Sequence, residues 1–477
     1  MLWSCLHFPD LSLQLLLRAA PPAGPLVVHG GGNRPQILSC DPRARSAGVA
    51  RGMSLSAAIA LCPDLQARAR DAGAERRALE RIAGWAGQFT PTVALAPPDA
   101  VLLEIEGSLA LFGGLPALRA RLREELAALG YAAGIAAAPT PGAARLLARA
   151  GLDTTVSECA RLPEALHDLP LALLQQPQDI VRGLALMGVH TVGACLALPR
   201  EGVARRFGQD LLDGLDRALG RLPDPCKPYQ PSAHYRARLP LPAPVHETGP
   251  LLFAAQRLVV EMSGHLRARG SGLTRLKLSL HHEERAPTMV QIGFSSPTRD
   301  PQRIARLLRE RLDRVELPER VETIQFDCEE SRPLASRNLS LFPDEMVPDE
   351  ERWSIVDHLR ARLGTEAVHG IVSYADRRPE LASRACEPGA AEPGPMQARR
   401  PLWLLDPPRR LREREDLPQL DGPLVLHGGP ERIEGGWWDG RDVARDYFVA
   451  SDAQGRQLWI YRERGGRRDW YLQGIFG

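Results

Sequence analysis

The stretch Pro97-Pro98-Asp99-Ala100-Val101-Leu102-Leu103-Glu104-Ile105 limits what this chain can become more than any other. Proline presets φ and aspartate tolerates turn geometry, so Pro97-Pro98-Asp99 reads as a tight turn. Val101 to Ile105 then alternates as a strand, with Val101, Leu103 and Ile105 on one face. Thr90 to Leu95 is also strand-like, and the two predict a hairpin at the heart of a sheet. Asp99 stands at the mouth of that hairpin with no acidic neighbour.

Further strands are expected at Leu2 to Leu6, Pro25 to His29, Gln36 to Ser39 and Gly134 to Ala138. Helices are expected from a first turn holding Pro9 through Leu17, and from Ala57 to Leu61 behind a Ser54 cap. Glu75 to Gln88, Pro116 to Leu129 and Gly142 to Ala150 read as helices too. Strands interleaved with helices predict an α+β or α/β domain over residues 1–160. Residues 161–225 read as helix throughout, broken at Pro170, Pro177, Gly188, Gly193 and Pro199. Met187 to Gly193 is either a glycine hairpin offering N–H groups to phosphate or a plain αα-turn.

A Pro-rich linker, Leu222 to Pro231, precedes a clear βαββαβ order over 234–328. In its strand Leu273 to Leu280, Thr274, Leu276, Leu278 and Leu280 share one face, while Arg275 and Lys277 take the other. From 255 to 315 twelve Arg and Lys stand against six Asp and Glu, a local balance of +6. Such a face is either a surface for a phosphate backbone or an ordinary solvated one. Residues 329–347 read as an exposed tether carrying one apolar knot, Asn338-Leu339-Ser340-Leu341-Phe342. Trp353 to Leu363 predicts a helix, and 384–400 a flexible linker. The end of the chain, with five of the eight tryptophans, predicts a small β module whose aromatics are core first and contact surface second.

A length of 477 residues predicts three to four domains. The net charge of +2 excludes a global polyelectrolyte. Eight cysteines without a CxxC pair argue against zinc and disulfide frameworks and fit a reducing cytosol. No apolar run approaches the roughly 18 residues of a membrane span, so a cytoplasmic protein is expected.

This order of parts resembles the Y-family DNA polymerases. Ile37-Leu38-Ser39-Cys40-Asp41 through Arg45, Gly48-Val49, Gly52-Met53 and Ala57 to Cys62-Pro63 is similar to that family's fingers segment. Gly134-Ile135 through Leu147-Ala148-Arg149 is similar to its later palm motif. The resemblance implies an α+β multidomain fold: a palm (1–29 and 76–160), fingers (30–75), a helical thumb (161–225) and a βαββαβ little finger (234–330). A tether (331–347), a helix with linker (346–400) and a C-terminal Trp-rich docking module (401–477) follow.

The family's chemistry is two-metal phosphoryl transfer, with Mg²⁺ gathered by several carboxylates. The resemblance places those positions at Cys5-Leu6-His7 on the first strand and at Asp99-Ala100 on the hairpin, so Asp99 alone is acidic. Arg45 matches the arginine that touches a triphosphate, while Pro42 replaces its tyrosine partner. The expectation is a catalytically silent palm with no metal and no cofactor; the alternative is an active lesion-bypass polymerase with an atypical ligand set.

Degenerate palms with Trp-rich tails resemble the members of this family found in damage-induced mutagenesis cassettes. Leu111-Phe112-Gly113-Gly114, the run from Gly429 to Trp437-Trp438, Arg445-Asp446-Tyr447 and the closing Tyr471 to Gly477 carry that likeness. It implies an adaptor that docks on the bacterial sliding clamp through 338–342 and recruits an error-prone DnaE-type polymerase and the RecA-like ImuA. Arg275 and Lys277 are the implied DNA contacts, and Trp437 and Trp438 the implied docking residues.

Overall fold

The computed structural model describes residues 1–18, 24–334, 349–390 and 400–476. The chain divides into two compact units, Met1–His358 and Leu359–Gly477.

The first unit opens with β1 (Trp3–His7) and α1 (Leu11–Leu17), then β2 (Leu26–His29), β3 (Ile37–Cys40), α2 (Pro42–Ser46), α3 (Leu55–Leu61) and β4 (Gln66–Ala69). It continues with α4 (Ala72–Ala86), β5 (Val93–Ala96), β6 (Ala100–Glu104), α5 (Leu115–Ala128), β7 (Gly134–Ala138) and α6 (Pro141–Arg149). The expected hairpin is β5–β6, and its sheet runs β5-β6-β1-β7. β1 is central, antiparallel to β6 and β7, with His7 opposite both Ala100 and Gly134.

The period-two alternation of these strands builds two cores. Leu6, Val101, Leu103, Ile105 and Ile135 pack against α4 and α5. Cys5, Ala100, Leu102, Ala136 and Ala138 pack against α6 and the helices that follow. Leu103, with none of its surface exposed, contributes ~2 kcal/mol by burial.

A smaller sheet, β3-β2-β4, carries α2 and α3. Ser54 caps α3 as expected, accepting from Ala57 N at 3.3 Å. Two elements here were not expected. Asp41 accepts from Ala44 N at 2.7 Å and starts α2 at Pro42. β4 pairs in parallel with β2, a long-range match that no local pattern announces. Pro9 lies outside α1, because Asp10 in left-handed geometry (φ 54°) is the N-cap.

Residues 162–218 are helical: α7 (Leu162–His167), α8 (Gln178–Ala185), α9 (Val192–Leu196), α10 (Arg200–Phe207) and α11 (Gln209–Ala218). The turn between α8 and α9 places Gly188 at φ 79°, and Thr191 caps α9 through Ala194 N.

The βαββαβ order follows as β8 (Arg236–Val245), α12 (Thr248–Ala268), β9 (Ser271–His281), β10 (Thr288–Thr298), α13 (Pro301–Leu312) and β11 (Val321–Pro333). The antiparallel sheet runs β10-β9-β11-β8. Leu276, Leu278 and Leu280 are buried, and Arg275 and Lys277 lie on the opposite face.

α12 crosses α4 closely because small residues meet there. A Cβ on Gly87 would lie 3.0 Å from the Ala268 Cβ, and one on Gly264 would run into the Trp85 indole. Below this crossing lies a closed ion cluster. Arg18 Nη2 meets Glu261 Oε2 at 2.5 Å, Arg81 Nε lies 3.0 Å from Glu261 Oε1, and Tyr235 Oη donates to Oε1 at 3.0 Å. Arg18 also donates to Tyr131 Oη at 2.9 Å and to the Leu129 carbonyl at 2.5 Å.

α14 (Asp349–Leu363) carries the division between the units. Beyond it, β12 (Gly370–Ser373) pairs with β13 (Ser383–Cys386), so the first residues of the expected 384–400 linker are strand.

The C-terminal module comprises β14 (Trp403–Arg410), β15 (Arg412–Arg414), β16 (Leu417–Gln419), β17 (Val425–Gly435), β18 (Val443–Ser451), β19 (Gln457–Glu463) and β20 (Trp470–Ile475). Its main sheet runs β14-β20-β19-β18-β17. Tyr447 stacks on Trp459 with centroids 4.3 Å apart, and Tyr461 on Tyr471 at 5.1 Å. Among the described residues, no helix is long and apolar enough to cross a membrane.

Candidate functional site

Asp99 ends the turn before β6, and His7 ends β1; the register brings both to one end of the sheet. His7 Nε2 lies 3.5 Å from Asp99 Oδ2. The helix α6 runs back over the sheet and delivers Arg149 from its last turn, with Nη2 2.8 Å from Asp99 Oδ1. Gln175 Nε2 donates to Oδ2 at 3.3 Å. The Arg149 side chain is 4% exposed and that of Asp99 23%.

Burial pushes the Asp99 carboxyl upward. The hydrogen bonds from His7 and Arg149 and their charge outweigh it, and draw the group down to about 2. Cys5 lies two residues along the same strand face, wholly buried, and burial pushes its thiol up to about 12. Cys5 is therefore a packing residue beside Ala136 and Ala138.

The four positions expected at the reaction centre thus come together, but the surrounding charge is cationic. A carboxylate held by Arg149 at one oxygen and by His7 and Gln175 at the other is a poor ligand for Mg²⁺, which demands hard oxygen donors in octahedral array. Ala100 is fully buried and adds no donor. Among the described residues, no group of three His, Cys, Asp or Glu is placed to hold a metal ion.

In front of Asp99 lies an open cleft of about 340 Å³ whose walls include Asp10, Ser39, Arg51, Arg70, Glu75 and Asp99. Arg70 is committed to Glu75 through a two-pronged pair at 2.9 and 2.7 Å. An adjoining pocket continues along α2 and contains the exposed Arg45 and again Asp10 and Arg51. Arg45 and Arg51 form no ion pair among the described residues, so this end of the cleft is cationic.

The remaining expected residues lie elsewhere. Arg275 pairs with Glu330 at 3.1 Å, and Lys277 with Glu329 at 3.7 Å, so β11 carboxylates neutralise the open face of that sheet. Asn338, Leu339, Ser340, Leu341 and Phe342 lie outside the described residues. In the second unit, Trp437 and Trp438 are 81% and 61% exposed, packed edge to face at 5.5 Å, with the Arg378 guanidinium 5.4 Å from the Trp438 ring. Trp459 and Trp470 are core.

Sequence reasoning missed the charges that control Asp99. Arg149 was legible as part of a motif but did not reveal its partner, and Gln175 donates from beyond that motif. Arg51, Arg70 and Glu75 gave no local signal at all.

The model of the IMS (impB/mucB/samB) family matches residues 13–149. The chain is 31% identical over 463 residues to Protein ImuB of Caulobacter vibrioides, in strain NA1000 / CB15N and again in strain ATCC 19089 / CIP 103742 / CB 15. The alignment covers 90% of this chain and 100% of each relative. Among solved structures, DinB from Sulfolobus solfataricus is similar at 17% identity with a TM-score of 0.40, over 69% of this chain and 98% of that one. An insertion ternary complex of Dbh DNA polymerase gives 17% and 0.41 over the same shares.

Proposed function

The chain belongs to the ImuB family, and from that premise we propose that it is a non-catalytic, polymerase-like adaptor in damage-induced (SOS) translesion synthesis. The single observation that carries this reading is the pairing of Asp99 with Arg149 and His7. A guanidinium and an imidazole stand where the two-metal mechanism needs negative charge. The donor set does not fit a pair of Mg²⁺ ions.

In this reading the first sheet is a palm, the β3-β2-β4 layer the fingers, the helices after α6 a thumb and the βαββαβ unit a little finger. The protein works in the cytoplasm. DNA is held through basic surfaces, with Arg275 and Lys277 exchanging their Glu330 and Glu329 partners for phosphate, and binding weakens steeply with salt. The peptide Asn338 to Phe342 docks on the sliding clamp, with Leu341 and Phe342 as apolar anchors. The C-terminal module, with Trp437 and Trp438 exposed, recruits the DnaE-type polymerase and ImuA.

Primer extension by the purified chain with Mg²⁺ or Mn²⁺ tests the silent palm, with no extension expected. Extension that vanishes in Asp99→Ala would instead establish the alternative, an active lesion-bypass polymerase. A clamp pull-down tests the adaptor role: Leu341→Ala with Phe342→Ala is expected to abolish capture. Capture that survives both changes removes the peptide from the reading.

A further inference from the structure

On the helical side of the β10-β9-β11-β8 sheet, away from Arg275 and Lys277, lies a cavity of about 470 Å³. Its walls come from the end of α12 (Arg267), the end of β10 and the following turn (Thr298, Arg299), α13 (Arg303, Arg306) and α14 (Ser354). We propose that this arginine-lined cavity is a binding site for a phosphoryl anion. The inference does not rest on the adaptor reading.

Charge is the first argument. Four arginines converge, against Asp300 in the wall and the buried Asp357 behind Arg303. Asp357 pairs with Arg303, and Asp300 caps α13 by accepting from Gln302 N at 3.0 Å. Among the described residues, Arg267 donates to the neutral Gln88 amide, at 3.1 Å, and pairs with no carboxylate. Arg299 and Arg306 have no carboxylate partner among the described residues. Gathered guanidinium groups repel one another, and an anion between them removes that cost.

The cavity wall is also built into place. Arg303 is 9% exposed and fixed by Ser296 Oγ at 3.1 Å and by Asp357, while its Nε is a buried donor without an acceptor among the described residues. Asp357 is itself locked, accepting from Ser295 N at 2.8 Å. All four cations are arginine, whose planar fork matches the oxygens of a phosphate in a way that lysine does not. The Thr298 and Ser354 hydroxyls add neutral donors to the wall. By contrast, the carboxylates of β11 already occupy the cations of the sheet's open face.

The ligand chemistry is shared by free phosphates and by the DNA backbone, and two probes separate them. Inorganic pyrophosphate and a short oligo(dT) are titrated into the full chain at constant ionic strength. The double variant R299A/R306A changes two residues outside the core, and R45A/R51A serves as the comparison because it disarms the other cationic cleft. The expected result is that R299A/R306A weakens at least one probe by roughly tenfold or more, the worth of a lost bidentate contact, while R45A/R51A leaves that loss unmatched. Loss of pyrophosphate binding assigns a free phosphoryl ligand, and loss confined to oligo(dT) assigns the DNA backbone. If both probes bind R299A/R306A as they bind the parent chain, or if only R45A/R51A loses them, the proposal is wrong.

Discussion

Asp99 and Glu261 are each held by two basic side chains, yet one faces an open cleft and the other is sealed. Glu261 and Arg18 have no exposed side-chain surface, and Arg81 has 17%. Burial pushes the Glu261 carboxyl up, and the charges of Arg18 and Arg81 with the Arg18 and Tyr235 hydrogen bonds overcome it and hold the group low. Asp99 has a similar balance of forces but keeps a wet edge. The difference teaches that a carboxylate–arginine pair acquires its role from its surroundings. In the sealed cluster the charges are committed to joining residues 243 positions apart, Arg18 at the C-cap of α1 and Glu261 of α12. At the cleft the same pairing consumes the one carboxylate that stands at an expected metal position.

The largest expected effect breaks the sealed side. Glu261→Gln leaves Arg18 and Arg81 buried without a counter-charge and is expected to destabilise the first unit by about 3–5 kcal/mol in chemical denaturation. Replacing the three together, Glu261→Leu with Arg18→Met and Arg81→Met, should recover most of that loss. A single-variant cost below about 1 kcal/mol would show that water reaches the cluster.

Acid sharpens the comparison next, because the two regions fail in different windows. Burial, aided by Arg269, pushes the His265 imidazole down to about 4. It sits on the same crossing, beside Tyr235 and over Gly84. A depressed histidine contributes stability above its ordinary value of 6.5, which is lost as pH falls toward 4. The loss is on the order of 3 kcal/mol and should be absent in His265→Gln. Asp99 responds lower down: its stabilisation is present above 3.8 and disappears as pH falls through about 2. Stability measured across both windows, in parent and variant, assigns each limb.

The smallest effect belongs to the open side. Asp99→Asn keeps the shape and removes one partly exposed ion pair, so a cost of about 1 kcal/mol is expected at neutral pH. A loss as large as that of Glu261→Gln would erase the distinction between the two clusters.

The legibility of the chain follows the range of the forces involved. The hairpin at 90–105, the Ser54 cap and the βαββαβ order rest on period, turn chemistry and capping, which act over a few residues. β4, β14 and the β12–β13 pair went unread because their stability comes from distant backbone partners rather than from their own side chains. The five-residue α2 was too short for its period to show.

At the site, the amino-acid order by itself determined which residue types stand at the hairpin mouth and on the first strand: one carboxylate, a histidine, a cysteine and an alanine. Only the tertiary structure decided what that carboxylate does. It brought Arg149 across from α6 and Gln175 from beyond it, and it placed Glu261 between two arginines. Charge acts through space and through the dielectric around it, and neither distance nor burial is written along the chain.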